Sequence, residues 1–270
     1  MHEKWIRSAA ALVMVAALAG CSKKAEPPKS DGAAATPGTG TPAPAPATDA
    51  PTGPTVTLSG TIHFDGTPPE RKAIKMSADD NCAKQHTQAV LSEDVIVGAA
   101  GGLRNVFVSV KSGLEGRQFA VPADAMVLDQ KGCTYIPHVW GVVANQTLRI
   151  LNSDPTLHNV HGIPASGKDE FNVGMPRKDM EITRVFKEAG AVRFKCDVHP
   201  WMLSYGHVMA HPFFAVSDDN GAYTIPNLPP GQYVIEAWQE KLGAQTATIT
   251  VGEGGATAQT LDFTFKPAGS

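Results

Sequence analysis

The chain has 270 residues, enough for one large or two modest domains. Glycine (26) and proline (21) make up about a sixth of it and 18% is charged. That composition argues against a helical bundle and against wholesale disorder, and points to short strands joined by turns. With 23 Lys and Arg against 26 Asp and Glu the formal charge is −3, so no basic surface for a nucleic-acid partner is implied.

In chain order the first signal is an address. Lys4 and Arg7 precede an apolar run from Ala9 to Leu18, followed by Ala19-Gly20-Cys21. A basic start, a short apolar core and small residues at the end describe an export signal, and the core is too short to span a bilayer. Leu18-Ala19-Gly20-Cys21 resembles the bacterial lipobox. The resemblance implies removal of residues 1–20, acylation of Cys21 and a stable lipid anchor. Ser22 after the cysteine implies the periplasmic face of the outer membrane as the destination. Residues 22–55 contain no Val, Ile, Leu, Met or aromatic residue. Nothing in them offsets the entropy of ordering, so 21–55 is expected to be a disordered tether. At about 3.1 Å per residue it reaches on the order of 100 Å.

Strand patterns begin at Val56. Val56, Leu58, Ile62 and Phe64 alternate with polar residues before turns at Asp65-Gly66 and Pro68-Pro69. A short helix is expected from Ser77 to His86, with Ser77 and Asp80 at capping-box spacing. Val106, Val108 and Val110 alternate again, and 56–120 reads as the first part of a β-sandwich.

Residues 121–212 carry the chemistry. Phe194-Lys195-Cys196-Asp197-Val198-His199-Pro200-Trp201-Met202 packs a soft thiolate, an imidazole and a thioether into seven residues, and alternation puts Val192, Phe194 and Cys196 on one strand face. Joined by a second imidazole from a distant strand, this donor set makes a trigonal copper site with a long axial Met. Asn152-Ser153-Asp154-Pro155-Thr156-Leu157-His158-Asn159-Val160-His161 offers that imidazole. The two motifs resemble those of cupredoxins, in particular amicyanin and plastocyanin. The resemblance rests on His158-Asn159-Val160, on Cys196-x-x-His199-x-x-Met202 and on the 38-residue gap from His158 to Cys196. It implies a Greek-key β-sandwich and one type 1 copper ion held by His158, Cys196, His199 and Met202. Departures lie at Leu157, Asp197-Val198 and Leu203-Ser204-Tyr205-Gly206, and none removes a ligand. His138 and His161 are candidate additional metal contacts. His161 is an odd number of strand positions from His158, which argues for the opposite face. Once Cys21 goes to lipid and Cys196 to copper, Cys82 and Cys133 remain as a disulfide pair in an oxidising compartment, worth about 4 kcal/mol on the loop-entropy account.

Toward the C-terminus, Tyr233, Ile235 and Ala237, then Leu261, Phe263 and Phe265, repeat the strand alternation. Asp218-Asp219-Asn220-Gly221 through Pro229-Pro230-Gly231-Gln232-Tyr233 resembles the carboxypeptidase regulatory-like, transthyretin-like sandwich, a fold without peptidase chemistry. With its partner strands in 56–120, segment 213–267 would complete that sandwich, leaving 121–212 as an insertion. The expected fold class is therefore all-β, with a cupredoxin sandwich and a transthyretin-like sandwich after a disordered tether. No Ser-His-Asp arrangement, phosphate-cradling glycine loop or HExxH motif is evident, so no enzyme is expected. The leading expectation is a lipid-anchored one-electron carrier for an exported redox protein. A copper-binding or copper-delivery lipoprotein without redox cycling is the alternative, followed by a protein- or glycan-binding lipoprotein with a vestigial cupredoxin domain.

Overall fold

A computed structural model describes residues 53–253 and 258–267. The expected signal peptide, Cys21 and the tether as far as residue 52 lie outside the described residues. The chain begins with β1 (Val56–Phe64), α1 (Asp80–Ala83) and β2 (Phe107–Ser112). Nine strands follow: β3 (Met126–Lys131), β4 (Thr134–Ile136), β5 (Val139–Val143), β6 (Thr147–Asn152), β7 (His158–Pro164), β8 (Phe171–Met175), β9 (Met180–Val185), β10 (Gly190–Lys195) and β11 (Leu203–Met209). The last six are β12 (Phe214–Val216), β13 (Ala222–Leu228), β14 (Gly231–Gln239), β15 (Gly243–Val251), β16 (Ala258–Thr260) and β17 (Phe263–Phe265). The fold class is all-β.

Two cores organise these strands. The first lies between the sheet β13-β1-β16, on which β17 also pairs with β1, and the sheet β12-β2-β14-β15. Its residues come from both ends of the described chain: Leu58 and Ile62 meet Tyr223, Tyr233, Ile235 and Phe263. The second lies between β5-β11-β10-β7-β8 and β4-β3-β6-β9 and is built around Trp140, Phe194, Leu148 and Ile150. The second sandwich is thus continuous in sequence and interrupts the first. Strand alternation decides which side chains are buried. Val192, Phe194 and Cys196 are buried while Arg193 is exposed, because successive side chains on a strand point to opposite faces.

The helix expected over Ser77–His86 is one turn only, Asp80–Ala83, and its N-cap is Asp79 rather than Ser77. The Asp79 carboxylate accepts the Asn81 and Cys82 N–H groups at 2.7 and 3.3 Å. A longer helix has nothing to hold it, since Cys82 is its one buried residue and short helices depend on an apolar face packed against a core.

An aromatic seam joins the sandwiches. His207 of β11 stacks on Phe107 of β2 at 4.0 Å and meets the Trp238 ring of β14 edge-on at 4.7 Å. Gly141 of β5 permits the approach, since a Cβ there would fall 2.5 Å from the Phe214 ring. At the same interface His138 Nε2 lies 2.6 Å from Glu240 Oε1 and both side chains are buried. The two histidines titrate in opposite senses. Burial with no partner for Nε2 depresses His207 to about 4. Burial also opposes charge on His138, but its hydrogen bond to Glu240 and the charges of Glu240 and Glu93 outweigh it and raise its pKa.

For His207 the unfolded chain binds the extra proton between pH 6.5 and about 4, so stability falls as the pH is lowered through that window, by about 3 kcal/mol at most. For His138 the stabilisation is present below pH 6.5 and is lost as the pH rises through the raised folded value. Denaturant titration from pH 4 to 8 should therefore show a flatter acid limb in His207→Phe, whereas His138→Ala should lose stability mainly in the acid half of the range.

Candidate metal centre

The centre is built from one β-turn, one Asx-stabilised loop and one tight ligand loop. β3 and β4 are joined by the two-residue turn Gly132-Cys133, whose φ angles of 62° and 53° are both positive, as a type I′ hairpin turn requires. The turn aims the Gly132 and Cys133 N–H groups at the Asp154 carboxylate, each at 2.7 Å. Asn152, fully buried at the end of β6, accepts the Asp154 N–H through Oδ1 and donates to the carbonyls of Thr156 and Met175. This shapes the loop that delivers His158 at the start of β7. Between β10 and β11, the Met202 N–H donates to the His199 carbonyl at 2.9 Å and the Cys196 N–H to the Met202 carbonyl at 3.2 Å. The loop is thereby closed on itself, with Cys196, His199 and Met202 all buried.

Donor atoms of His158, Cys196 and His199 lie within 4.8 Å of one another. The two Nδ1 atoms face each other at 2.9 Å, and Cys196 Sγ is 3.7 Å from His199 Nδ1. Each imidazole meets a carboxylate at its other nitrogen. His158 Nε2 is 2.9 Å from Asp154 Oδ2, and His199 Nε2 is 3.1 Å from Asp79 Oδ2. Carboxylates at Nε2 favour the proton there and leave Nδ1 as the ligating nitrogen. Burial opposes charge on His158, but Asp154 and the Cys196 sulfur outweigh it and lift its pKa to about 9. Cys196 is held below the ordinary thiol value: burial acts against this, and His158 with the N–H groups of Asn159, His199 and Val198 prevails. A low thiol pKa is what a metal ligand needs. Two buried imidazoles, an acidified thiol and a buried thioether fit copper, whose two oxidation states accept soft sulfur and imidazole alike. Zinc fits less well, because thioethers are not among its usual ligands.

Other sulfur-containing groupings offer less. Asp79-Cys82-His199 and Cys133-Asp154-His158 also have converging donor atoms, but Cys82 and Cys133 are joined in a disulfide and have no thiolate to give. Neither His138 nor His161 reaches the donor cluster. His138 is committed to Glu240 and the Leu203 carbonyl. His161 points away from His158 on β7, with Nε2 2.7 Å from Glu170 and Nδ1 3.1 Å from Asp197.

Three residues that shape the centre were not singled out by sequence reading. Asp154 lies inside the quoted motif four residues before His158, a spacing that could have been noticed. Asp79 is 120 positions from His199, and no local pattern signals such a contact. The third is Asn159, part of the His158-Asn159-Val160 motif but given no role there, whose Oδ1 accepts the N–H groups of Asp197 and Val198 at 2.6 and 3.3 Å. Its own N–H reaches Cys196 Sγ at 3.4 Å, and together these bonds fasten the ligand loop to the strand that carries His158.

Over 109 residues the chain is 31% identical to amicyanin of Paracoccus versutus, which spans 39% of this chain and 81% of that protein. Through this segment the chain belongs to the amicyanin family. Among solved structures, amicyanin from Paracoccus versutus is 28% identical with a TM-score of 0.29, covering 37% of this chain and 96% of that one. A purple cupredoxin from Nitrosopumilus maritimus is 22% identical with a TM-score of 0.28, covering 31% of this chain and 98% of its own. Residues 190–259 match a family model described as polysaccharide lyase family 4, domain II. That match runs from β10 of the amicyanin-like sandwich to β16 of the other. That description is not the carboxypeptidase regulatory-like family expected of 56–120 with 213–267.

Asn159→Ala should leave the Asp197 and Val198 N–H groups without their acceptor and destabilise the fold by about 1–3 kcal/mol. Urea unfolding of the metal-free protein measures this, with Asn172→Ala as a control that leaves the Oδ1 acceptor in place.

Proposed function

We propose that the chain is an exported, lipid-anchored type 1 copper protein that carries single electrons to or from another exported redox protein. The observation that carries this reading is the convergence of His158, Cys196 and His199 on one buried point, with Met202 closing the loop beside them. Copper bound there would supply a one-electron couple. The protein's part is to hold two imidazoles and a thiolate in fixed positions, to keep Cys196 ionisable and to exclude water. Fixed ligands suit repeated electron exchange, which gains from little rearrangement between oxidation states. Burial of all four side chains favours a resident ion over a delivered one, so the carrier reading is preferred to copper delivery. Leu157 and Val198, about 45% exposed, immediately precede the two histidine ligands and put apolar side chains at the surface there. Such residues suit a transient protein partner. No enzymatic step is assigned, since a copper held by His158, Cys196, His199 and Met202 would have no position left for a substrate.

The export signal, lipobox and apolar-free tether of the sequence support attachment at Cys21 on the periplasmic face of the outer membrane. For the first sandwich, the Asn220-Gly221 and Pro229-Pro230-Gly231 turns and the shared core of Tyr223 and Tyr233 support a carboxypeptidase regulatory-like assignment with a scaffolding role.

Copper-loaded protein should show an intense visible thiolate-to-copper band that Cys196→Ser abolishes and His161→Ala leaves intact. Colour that survives loss of Cys196 and fades with His161 would instead identify adventitious binding at surface histidines. For the anchor, metabolic labelling with palmitate should mark the wild-type chain in a bacterial host and leave Cys21→Ser unlabelled. Persistent labelling of the variant would end the lipoprotein assignment.

A further inference from the structure

Between residues 74 and 90 the connection from β1 to β2 leaves its own sandwich. Met76 and Cys82, with Ile74 and Val90 at the margin, pack into the core of the amicyanin-like sandwich instead, and the Cys82–Cys133 disulfide, 51 residues apart, ties the excursion down. At its tip the Asp79 carboxylate divides its two oxygens. Oδ1 accepts the Asn81 and Cys82 N–H groups and caps α1. Oδ2 accepts the Thr156 hydroxyl at 3.3 Å and lies 3.1 Å from His199 Nε2. Cys82 Sγ covers the same ring nitrogen at 3.6 Å, and His199 is left 2% exposed.

We propose that Asp79 is a positioning residue of the metal centre, supplied by the excursion of the first sandwich. It receives the Nε2 proton of His199, locks the ring angle and leaves Nδ1 to face His158 and Cys196. The cap explains why the carboxylate itself is well placed. One oxygen is held by two backbone N–H groups and the disulfide fixes the turn that carries them, so the other oxygen has little freedom to leave His199. The first sandwich is then part of the copper site and not merely a neighbour. The inference rests on the copper reading for the identity of the ion, while the orientation of His199 can be tested without any metal.

Two variants separate the contact from the fold. Asp79→Ser retains an N-cap oxygen but is too short to reach His199. In Asp79→Asn the single oxygen stays with the cap amides, which turns the amide NH₂ toward the Nε2 proton, donor against donor. Asp80→Asn, changing the exposed carboxylate next door, is the control. In metal-free protein, long-range ¹H–¹⁵N correlation should find the Nε2–H tautomer at His199 in wild type and Asp80→Asn, and a mixture in both Asp79 variants. In competition with a chelator, copper should bind the Asp79 variants about 10–100-fold more weakly, with the thiolate band retained because Cys196 is untouched. Wild-type affinity together with an unchanged tautomer in Asp79→Asn and Asp79→Ser would overturn the proposal. Wild-type protein that binds no copper would refute the copper reading, and the tautomer measurement would then decide the role of Asp79.

Discussion

Two imidazoles buried with their Nδ1 atoms 2.9 Å apart are tolerable only if each outer nitrogen has an acceptor, because an unpaired buried N–H is costly. Asp154 and Asp79 meet that demand, and neither is free to wander. Asp154 is gripped by the N–H groups of Gly132 and Cys133, Asp79 by those of Asn81 and Cys82. A single disulfide joins Cys82 to Cys133, so the two carboxylates that orient the histidines hang from the two halves of one covalent bridge. Much of the local architecture follows from this arrangement: the positive-φ turn, the one-turn helix and the excursion of the β1–β2 connection all serve to place an acceptor.

The ligand loop obeys a second constraint, compactness. Its two internal backbone bonds draw Cys196 and Met202 together across His199. Trp201 extends the brace, donating from Nε1 to the Cys133 carbonyl at 3.0 Å with its ring 5.0 Å from that of His199. Asn159 fastens the loop to β7, and the Tyr135 hydroxyl donates to the carbonyls of Asn159 and Lys195 on the two strands concerned. A site braced from three sides changes little when its charge changes, which is the property an electron carrier needs. The outer nitrogen of His199 is closed off by Asp79 and Cys82.

Inserting one sandwich into another creates an interface that must be filled. The stacked His207 and Phe107 rings, the edge-on Trp238 and the buried His138–Glu240 pair fill it. Polar histidines at such positions cost more than apolar ones would unless partnered. His138 has its carboxylate. His207 does not, and its depressed pKa reflects the lack.

Residue types and spacing by themselves determined the all-β class, the strand faces of Val192, Phe194 and Cys196, and the membership of the Cys196–Met202 loop, because period-two alternation and metal-donor spacing are local properties. They also isolated Cys82 and Cys133 as the cysteines left to pair. Tertiary structure alone decided the rest. It separated His138 from the donor cluster by giving it a nearer carboxylate, and it moved the helix cap from Ser77 to Asp79. It also brought Asp79 to His199 across 120 residues. That contact depends on residues 74–90 of a connection packing into the other sandwich's core, a choice set by Met76 and Cys82 and by the disulfide. No periodicity within the connection encodes it, since the energy that selects it lies in surfaces that meet only once both sandwiches have formed.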